Sequence, residues 1–301
     1  MRCPKCGNDV SKDDFVCVYC GAKLREERIE SIGLFRRLEE EWVEPDPRWK
    51  RLINVIINPS RAFWDVTHYR KKVGGGLVYL LTAMAFGLNG LAVFVHLDFS
   101  GYLWYMRMLY GLQFFLIFGL FGLFFYMLFY WFGSKLFRWG ADYSIDLSRQ
   151  LELRYDEGDD EEEDEEEQEK TRAQLEAEGE YIFELPDYLK SEKSKKGSIM
   201  RLAYMPVVVG LLISALILLI FLPSTTPGNV GDMSTSIAWS IVDWIQVIIL
   251  IGWVPITMSI ALRDIANAST MRVYISCLII SILLAAISYF MRPTFLMGQV
   301  A

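Results

Sequence analysis

LYGLQFFLIFGLFGLFFYMLFYWFG, Leu109–Gly133, runs for twenty-five residues without a charged side chain. A helix rising 1.5 Å per residue needs about 20 apolar residues to cross a hydrocarbon core of roughly 30 Å. Four further runs have the same character: Gly74–Leu97, Leu202–Leu222, Ile237–Leu262 and Val273–Met291. Asp243 is the one charged residue in all five. The pattern predicts an all-α polytopic membrane protein with five transmembrane helices. The chain of 301 residues is 53% hydrophobic, and the excess sits in these runs. The first 70 residues hold no charged n-region followed by an apolar stretch, so the first span is expected to act as an uncleaved signal anchor.

An odd number of crossings puts the chain ends on opposite sides. The basic residues say which is which. Arg70, Lys71 and Lys72 precede span one, and Lys135 and Arg138 follow span two. Lys193, Lys195, Lys196 and Arg201 precede span three, and Arg263 and Arg272 lie between spans four and five. With alternating helices all of these share one side. The other side receives Arg107 and Arg292, and none in Pro223–Ser236. The expected arrangement is a cell-membrane protein with a cytoplasmic N-terminus and an extracytoplasmic C-terminus. The sequon Asn267-Ala268-Ser269 then lies in the cytoplasm and stays unmodified.

Two phrases, Cys3-Pro-Lys-Cys6-Gly and Cys17-Val-Tyr-Cys20-Gly, stand ten residues apart. Each CxxC turn aims two thiolates at one point, and the following glycine lets backbone amides approach the sulfurs. Together Cys3, Cys6, Cys17 and Cys20 fit a closed tetrahedral Zn²⁺ site of structural type. The competing reading is a pair of disulfides, which a reducing cytoplasm disfavours. So small a module has little core, and metal binding would supply its folding energy. It resembles the short zinc ribbons at the N-termini of many archaeal and bacterial membrane proteins. Its charges are balanced, so no nucleic-acid partner is expected. Cys277, in mid-span, reads as a small packing residue.

Between module and membrane, Leu24–Val43 reads as a charged helix with Ile32, Phe35, Leu38 and Trp42 on one face. Arg48–Asn58 mixes basic residues with Trp49, Leu52, Ile53, Ile56 and Ile57, and Ser60 is placed to cap a helix over Arg61–Tyr69. These two segments fit interfacial helices on the cytoplasmic leaflet, and equally fit packing beneath the bundle.

The phrase INPSRAFWDV, a basic linker, the glycines Gly74–Gly76 and five spans resemble the Yip-domain family, whose P-x-x-x-F motif falls here on Pro59 and Phe63. The resemblance covers about residues 50–291 apart from the middle loop, and prokaryotic members, of archaeal type here, often carry a zinc ribbon in front. It implies a five-helix membrane domain and a non-enzymatic adaptor or membrane organiser. Its partners would be the lipid bilayer and cytoplasmic proteins, with homo- or hetero-oligomers allowed. Eukaryotic relatives bind Rab-type GTPases and shape tubular membrane.

The expected division is a ribbon at 1–24, a cytoplasmic linker with interfacial helices at 25–72, and spans one and two at 73–133. A cytoplasmic loop follows at 134–198, then spans three to five at 199–291 and an extracytoplasmic tail at 292–301. The loop departs from the short loops of the family. Its stretch 156–169 carries twelve acidic residues and no basic one, and removing those twelve turns the net charge of −7 into +5. Such a run repels itself and stays solvated, or captures a basic partner. Within the spans the polar set is small. Asn89, Asp243 and Gln246 are candidates for one interhelical hydrogen-bonded cluster, and they are also what a channel or transporter subunit would offer. Phe114, Phe118, Phe121, Phe125, Phe129 and Phe132 form an aromatic stripe for lipid or for a helix groove. No catalytic constellation is present, so the chain is expected not to be an enzyme. A further alternative is a membrane-tethered regulator in which the ribbon senses metal.

Overall fold

The computed structural model describes residues 2–10, 14–17, 22–38, 47–68, 74–99, 101–156, 192–226 and 236–290. Five helices are long and apolar enough to span a membrane, which fits a multi-pass membrane protein. Two short helices precede them, α1 (Arg48–Ile57) and α2 (Pro59–His68). The spans are α3 (Gly75–Val95), the first part of α4 (Trp104–Asp156), α5 with α6 (Glu192–Leu202, Met205–Phe221), α7 with α8 (Ile237–Ile248, Val254–Ala266), and α9 (Thr270–Phe290).

The α3–α4 pair interlocks through glycine. A Cβ on Gly87 would meet the Phe115 ring at 2.9 Å, one on Gly90 the Phe118 Cβ at 2.6 Å, and one on Gly122 the Phe86 Cβ at 2.6 Å. Without a hydrophobic drive between helices in lipid, such close approach is how spans gain packing energy. The Phe stripe is thereby divided. Phe118 stacks on Phe86 and Phe114 packs on Phe94, whereas Phe121, Phe125 and Phe132 stay exposed on the outer face of α4. Gly90→Leu is expected to destabilise the protein in detergent denaturation by about 1–3 kcal/mol through overpacking. Adding Phe118→Ala should restore much of that loss, because it empties the space the new side chain needs.

Toward the other spans, Tyr130 stacks on Tyr204 at 4.4 Å between ring centroids, and the Thr82 and Tyr130 hydroxyls are 3.0 Å apart. Cys277 lies fully buried in this core. Pro206 occupies the first turn of α6, just after a break at Ala203 and Tyr204. The Thr257 hydroxyl donates to the Ala203 carbonyl at 2.8 Å and takes up one acceptor the break leaves open. In the fourth span Pro255 follows a π-helical turn, Ile249–Trp253, because proline brings no N–H and its ring crowds the carbonyl four residues back.

At one end of the bundle the loop after α3 pairs with the segment after α6: Thr225 N donates to His96 O and Asp98 N to Thr225 O. Phe94, Phe99, Tyr102, Tyr110 and Phe114 cluster there, as aromatic residues do at a membrane–water boundary.

Three expectations need correction. Helix α4 does not stop at Gly133 but runs on to Asp156, so the second loop begins later. Phe137 and Ala141, both buried, and Gly140, against Ile280 and Ser276, keep this extension on α9. Leu24–Val43 is not a helix where it is described: Arg28–Ser31 makes one 3-10 turn and the chain to Leu38 is irregular. Its polar side chains bond to partners far along the sequence, and Trp42 lies outside the described residues. Ser60 does not cap α2. That helix begins at Pro59, the Asn58 side chain accepts from Arg61 N at 3.4 Å, and the Ser60 hydroxyl donates to Leu34 O at 2.6 Å. The acidic tract beyond Asp156, and the tail at 292–301, lie outside the described residues.

Candidate metal centre and its seat on the helix bundle

The N-terminal module is built from two similar knuckles. In the first, Cys3 N donates to Asn8 O and Gly7 N to Cys3 O, both at 2.9 Å. The turn closes because Gly7 adopts a φ of 75°, a region where a side chain would clash. In the second, Cys17 N donates to Ala22 O at 2.8 Å. Each knuckle carries one antiparallel bridge, Arg2 with Asp9 and Val16 with Lys23. The thiols of Cys3, Cys6 and Cys17 all lie within 4.8 Å of one another, close enough to share one metal ion. Cys6 and Cys17 sulfurs are 3.7 Å apart. Four thiolates at a Zn–S distance of about 2.3 Å in a tetrahedron have sulfurs about 3.8 Å apart, so this spacing fits zinc. Cys3 and Cys17 are buried on Val10, with Ala22 and Leu24 against them, and Cys6 is exposed. Cys20 lies outside the described residues.

The module does not hang free. Asn267, in the turn between α8 and α9, takes the left-handed conformation (φ 50°) that ends α8. Its side-chain oxygen accepts from Val16 N at 3.0 Å, and its amide nitrogen donates to Val16 O at 2.9 Å and to Asp14 Oδ1 at 3.1 Å. A carboxamide thus pairs with the backbone of the knuckle as another peptide group would, one residue before Cys17.

Below that contact runs a buried charged network. The Arg37 Nε donates to Glu30 Oε1 at 2.6 Å, the Thr270 hydroxyl donates to the same oxygen at 3.0 Å, and Lys23 Nζ is 3.3 Å from Oε2. Arg37 also donates to Ala268 O, and its guanidinium lies 5.0 Å from the Phe15 ring centroid. Arg263, 1% exposed, donates to Phe35 O, to the Thr270 hydroxyl, to Ser60 Oγ and to Asp264. Glu30 is equally buried. Burial pushes its carboxyl up, but Arg37, with Thr270 and Lys23, outweighs that and holds it below its usual range. The side chains of Glu30, Arg37 and Arg263 are therefore expensive to desolvate singly and acceptable together. They tie the N-terminal segment, the start of α2 and the α8–α9 turn into one block at one end of the bundle.

Comparison with known protein families, with curated proteins and with solved structures finds no match. The residues themselves therefore carry the functional reading.

Two of the three candidate polar residues of the spans bond to α6. Asn89 donates to Leu211 O at 3.0 Å and to Ala85 O at 2.8 Å, and Gln246 donates to Ser214 Oγ at 3.0 Å. The Leu211 and Ser214 contacts, three residues apart on α6, give each amide one interhelical hydrogen bond. Asp243 lies one turn before Gln246 on α7. Phe63 is fully buried in the bundle core and Pro59 starts α2. Sequence reasoning missed Glu30 and Arg37, read Asn267 only as an unmodified sequon, and took Arg263 only as a loop charge. One signal was available: Arg263, Asn267 and Thr270 are polar residues packed into a very short turn between two spans.

Asn267→Ala is expected to undock the module without emptying it. The metal content per chain should stay that of the wild type, while amide exchange at Val16 rises by the loss of roughly 1–3 kcal/mol of protection, since one buried acceptor and one donor lose their partners.

Proposed function

We propose that the chain is a non-enzymatic multi-pass membrane adaptor of the Yip type, which holds a structural zinc module rigidly at the cytoplasmic end of a five-helix bundle for soluble proteins to bind. The single observation that supports this is the pairing of Asn267 with Val16 and Asp14. A module fixed in orientation by the bundle presents a defined surface, which a loosely tethered one does not. Cys20 supplies the fourth thiolate: it follows Cys6 by fourteen residues, as Cys17 follows Cys3. The loop charges supply the orientation, with the N-terminus and the α8–α9 turn in the cytoplasm.

The test places a photo-cross-linking residue at Lys5, exposed on the first knuckle, in the full chain in native membranes. The same soluble protein should be recovered in repeated preparations and lost on Cys17→Ser. Ion or solute flux through reconstituted liposomes, with no reproducible adduct, would favour a channel or transporter subunit instead. The Asn267 contact also supports a metal-responsive regulator. In that case Asn267→Ala should reproduce the effect of metal loss on the partner although the metal stays bound.

A further inference from the structure

Helix α1 has two apolar faces, and among the described residues only one is covered. Leu52 and Val55 are buried in the bundle core, and Arg51 is buried with its Nε 2.6 Å from Asp65 Oδ2 of α2. These contacts fix the rotation of α1 about its axis. The opposite side is then set by the helical period. Trp49, Ile53 and Ile57 follow one another at steps of four, and they are 69%, 55% and 70% exposed. Lys50 is exposed at the edge of this stripe. A helix facing water would carry polar residues there. Three large apolar side chains in a line need a partner that is itself apolar.

The position of α1 indicates which one. It packs against α6, one of the five helices able to span a membrane, and it leads directly into α2, which lies under α5 and α8. It therefore sits where the bundle leaves the bilayer. The basic residues of this end, Lys50, Arg138, Lys196 and Arg201, match anionic headgroups. Each basic residue near an anionic surface adds about 1 kcal/mol of attraction. Tryptophan with isoleucines on one face and lysine at its edge is the composition of a helix lying in the plane of the membrane surface.

We propose that α1 is an interfacial helix whose Trp49–Ile53–Ile57 stripe inserts among the acyl chains of the anionic leaflet of the membrane that the spans cross, with Lys50 at the phosphate level. The adaptor reading is not needed for this, and either can fail alone.

The test uses the full chain in nanodiscs of phosphatidylcholine and phosphatidylglycerol at three to one. Benzoylphenylalanine is introduced singly at positions 49, 53 and 57, with position 55 as the buried control. Each variant is first checked for wild-type metal content and a single elution peak. After irradiation, mass spectrometry of the peptide should show phospholipid adducts at 49, 53 and 57, several-fold above position 55. Adducts to a second copy or to an added membrane extract in place of lipid would overturn the proposal and mark a protein interface. No adduct at any of the three exposed positions would also overturn it, since the stripe would then face water. Three independent positions keep the outcome decisive if one variant folds poorly.

Discussion

Cys17→Ser is expected to unfold the N-terminal module while leaving the five spans helical. The module has almost no core: among its described residues Cys3, Val10 and Cys17 are the buried hydrophobic ones, with Ala22 and Leu24 beside them. Units below about 40 residues rarely fold without a metal or disulfides. A structural Zn²⁺ contributes about 10–16 kcal/mol of folding free energy in comparable peptides near pH 7, far more than two isolated β-bridges and a few turn hydrogen bonds. Loss of one thiolate should therefore take the metal content from one ion per chain to near none. Exchange protection should vanish at the amides of Cys3, Gly7, Cys17 and Leu24, whose hydrogen bonds define the knuckles. Far-ultraviolet circular dichroism should hardly change, because the helices are held by their own packing. A strong chelator should reproduce the variant on wild-type protein. A phosphine reductant without chelator should do nothing, whereas disulfide-linked cysteines would lose their fold. Full protection in metal-free Cys17→Ser would falsify the metal reading. Binding displaces protons from the thiols, so affinity must also fall on acidification.

The order of dependence follows from geometry. Cys17 adjoins Val16, the residue that Asn267 grips. Metal loss should thus free the module from the bundle, while Asn267→Ala frees it with the metal still bound. If both variants undock the module but only one empties it, the contact lies downstream of metal binding and the module is the part that responds.

The five spans were legible because length and charge-free composition are local properties of a chain. The continuation of α4 was not, because Lys135 and Arg138 lower the hydropathy although the helical face persists. Phe137 and Ala141 keep the spacing of Tyr130 and Gly133 and pack on α9. Hydropathy reports where a helix is greasy, and helical spacing reports where it goes on. The reverse error occurred over Leu24–Val43. Ile32, Phe35 and Leu38 have helical spacing, but Phe35 alone is buried, and Ile32 and Leu38 are exposed. What shapes this stretch is the pairing of Glu30 and Arg37 with residues around 268–270, more than 200 positions away. No local pattern contains such a pairing. The clustering of Cys3, Cys6 and Cys17 was legible for the opposite reason, since each CxxC knuckle is encoded within a few residues.

The α1–α2 region shows why two readings were even. A helix carrying apolar residues on two sides satisfies both an interfacial and a core template. The burial of Leu52 and Val55 and the Arg51–Asp65 pair, all made by folding, decide which side faces the bundle. Leu52 and Val55 go inward, and Trp49, Ile53 and Ile57 are left outside. The core template holds for the inner face, and the interfacial one is what we propose for the outer face.

Glu30→Gln is expected to cost on the order of 3–5 kcal/mol, because removing one member of a buried ionic group leaves the others uncompensated. Arg37 would keep its charge in a buried site without its carboxylate, Lys23 would lose an oxygen 3.3 Å away, and Arg263 would retain Asp264 alone. Glutamine preserves the shape, so the loss reports charge and not a cavity. The effect should appear as lowered resistance to denaturation in detergent and as faster exchange at Met271, whose amide donates to Glu27 in the same segment. Adding Arg37→Gln should recover part of the loss, since it removes the buried cation that Glu30 contacts directly. The pH dependence has a definite sign. The carboxyl is held below its ordinary 4.5, so the unfolded chain takes up its proton first as pH falls. The stability Glu30 contributes is complete above that ordinary value and is lost as pH drops through the lower folded value. Subtracting the Glu30→Gln curve from the wild-type curve isolates this contribution, because acid release of metal affects both proteins alike. A difference under about 1 kcal/mol at neutral pH would mean the pair behaves as an exposed one. The N-terminal segment would then be lightly seated, and the rigid presentation on which the adaptor reading rests would fail with it.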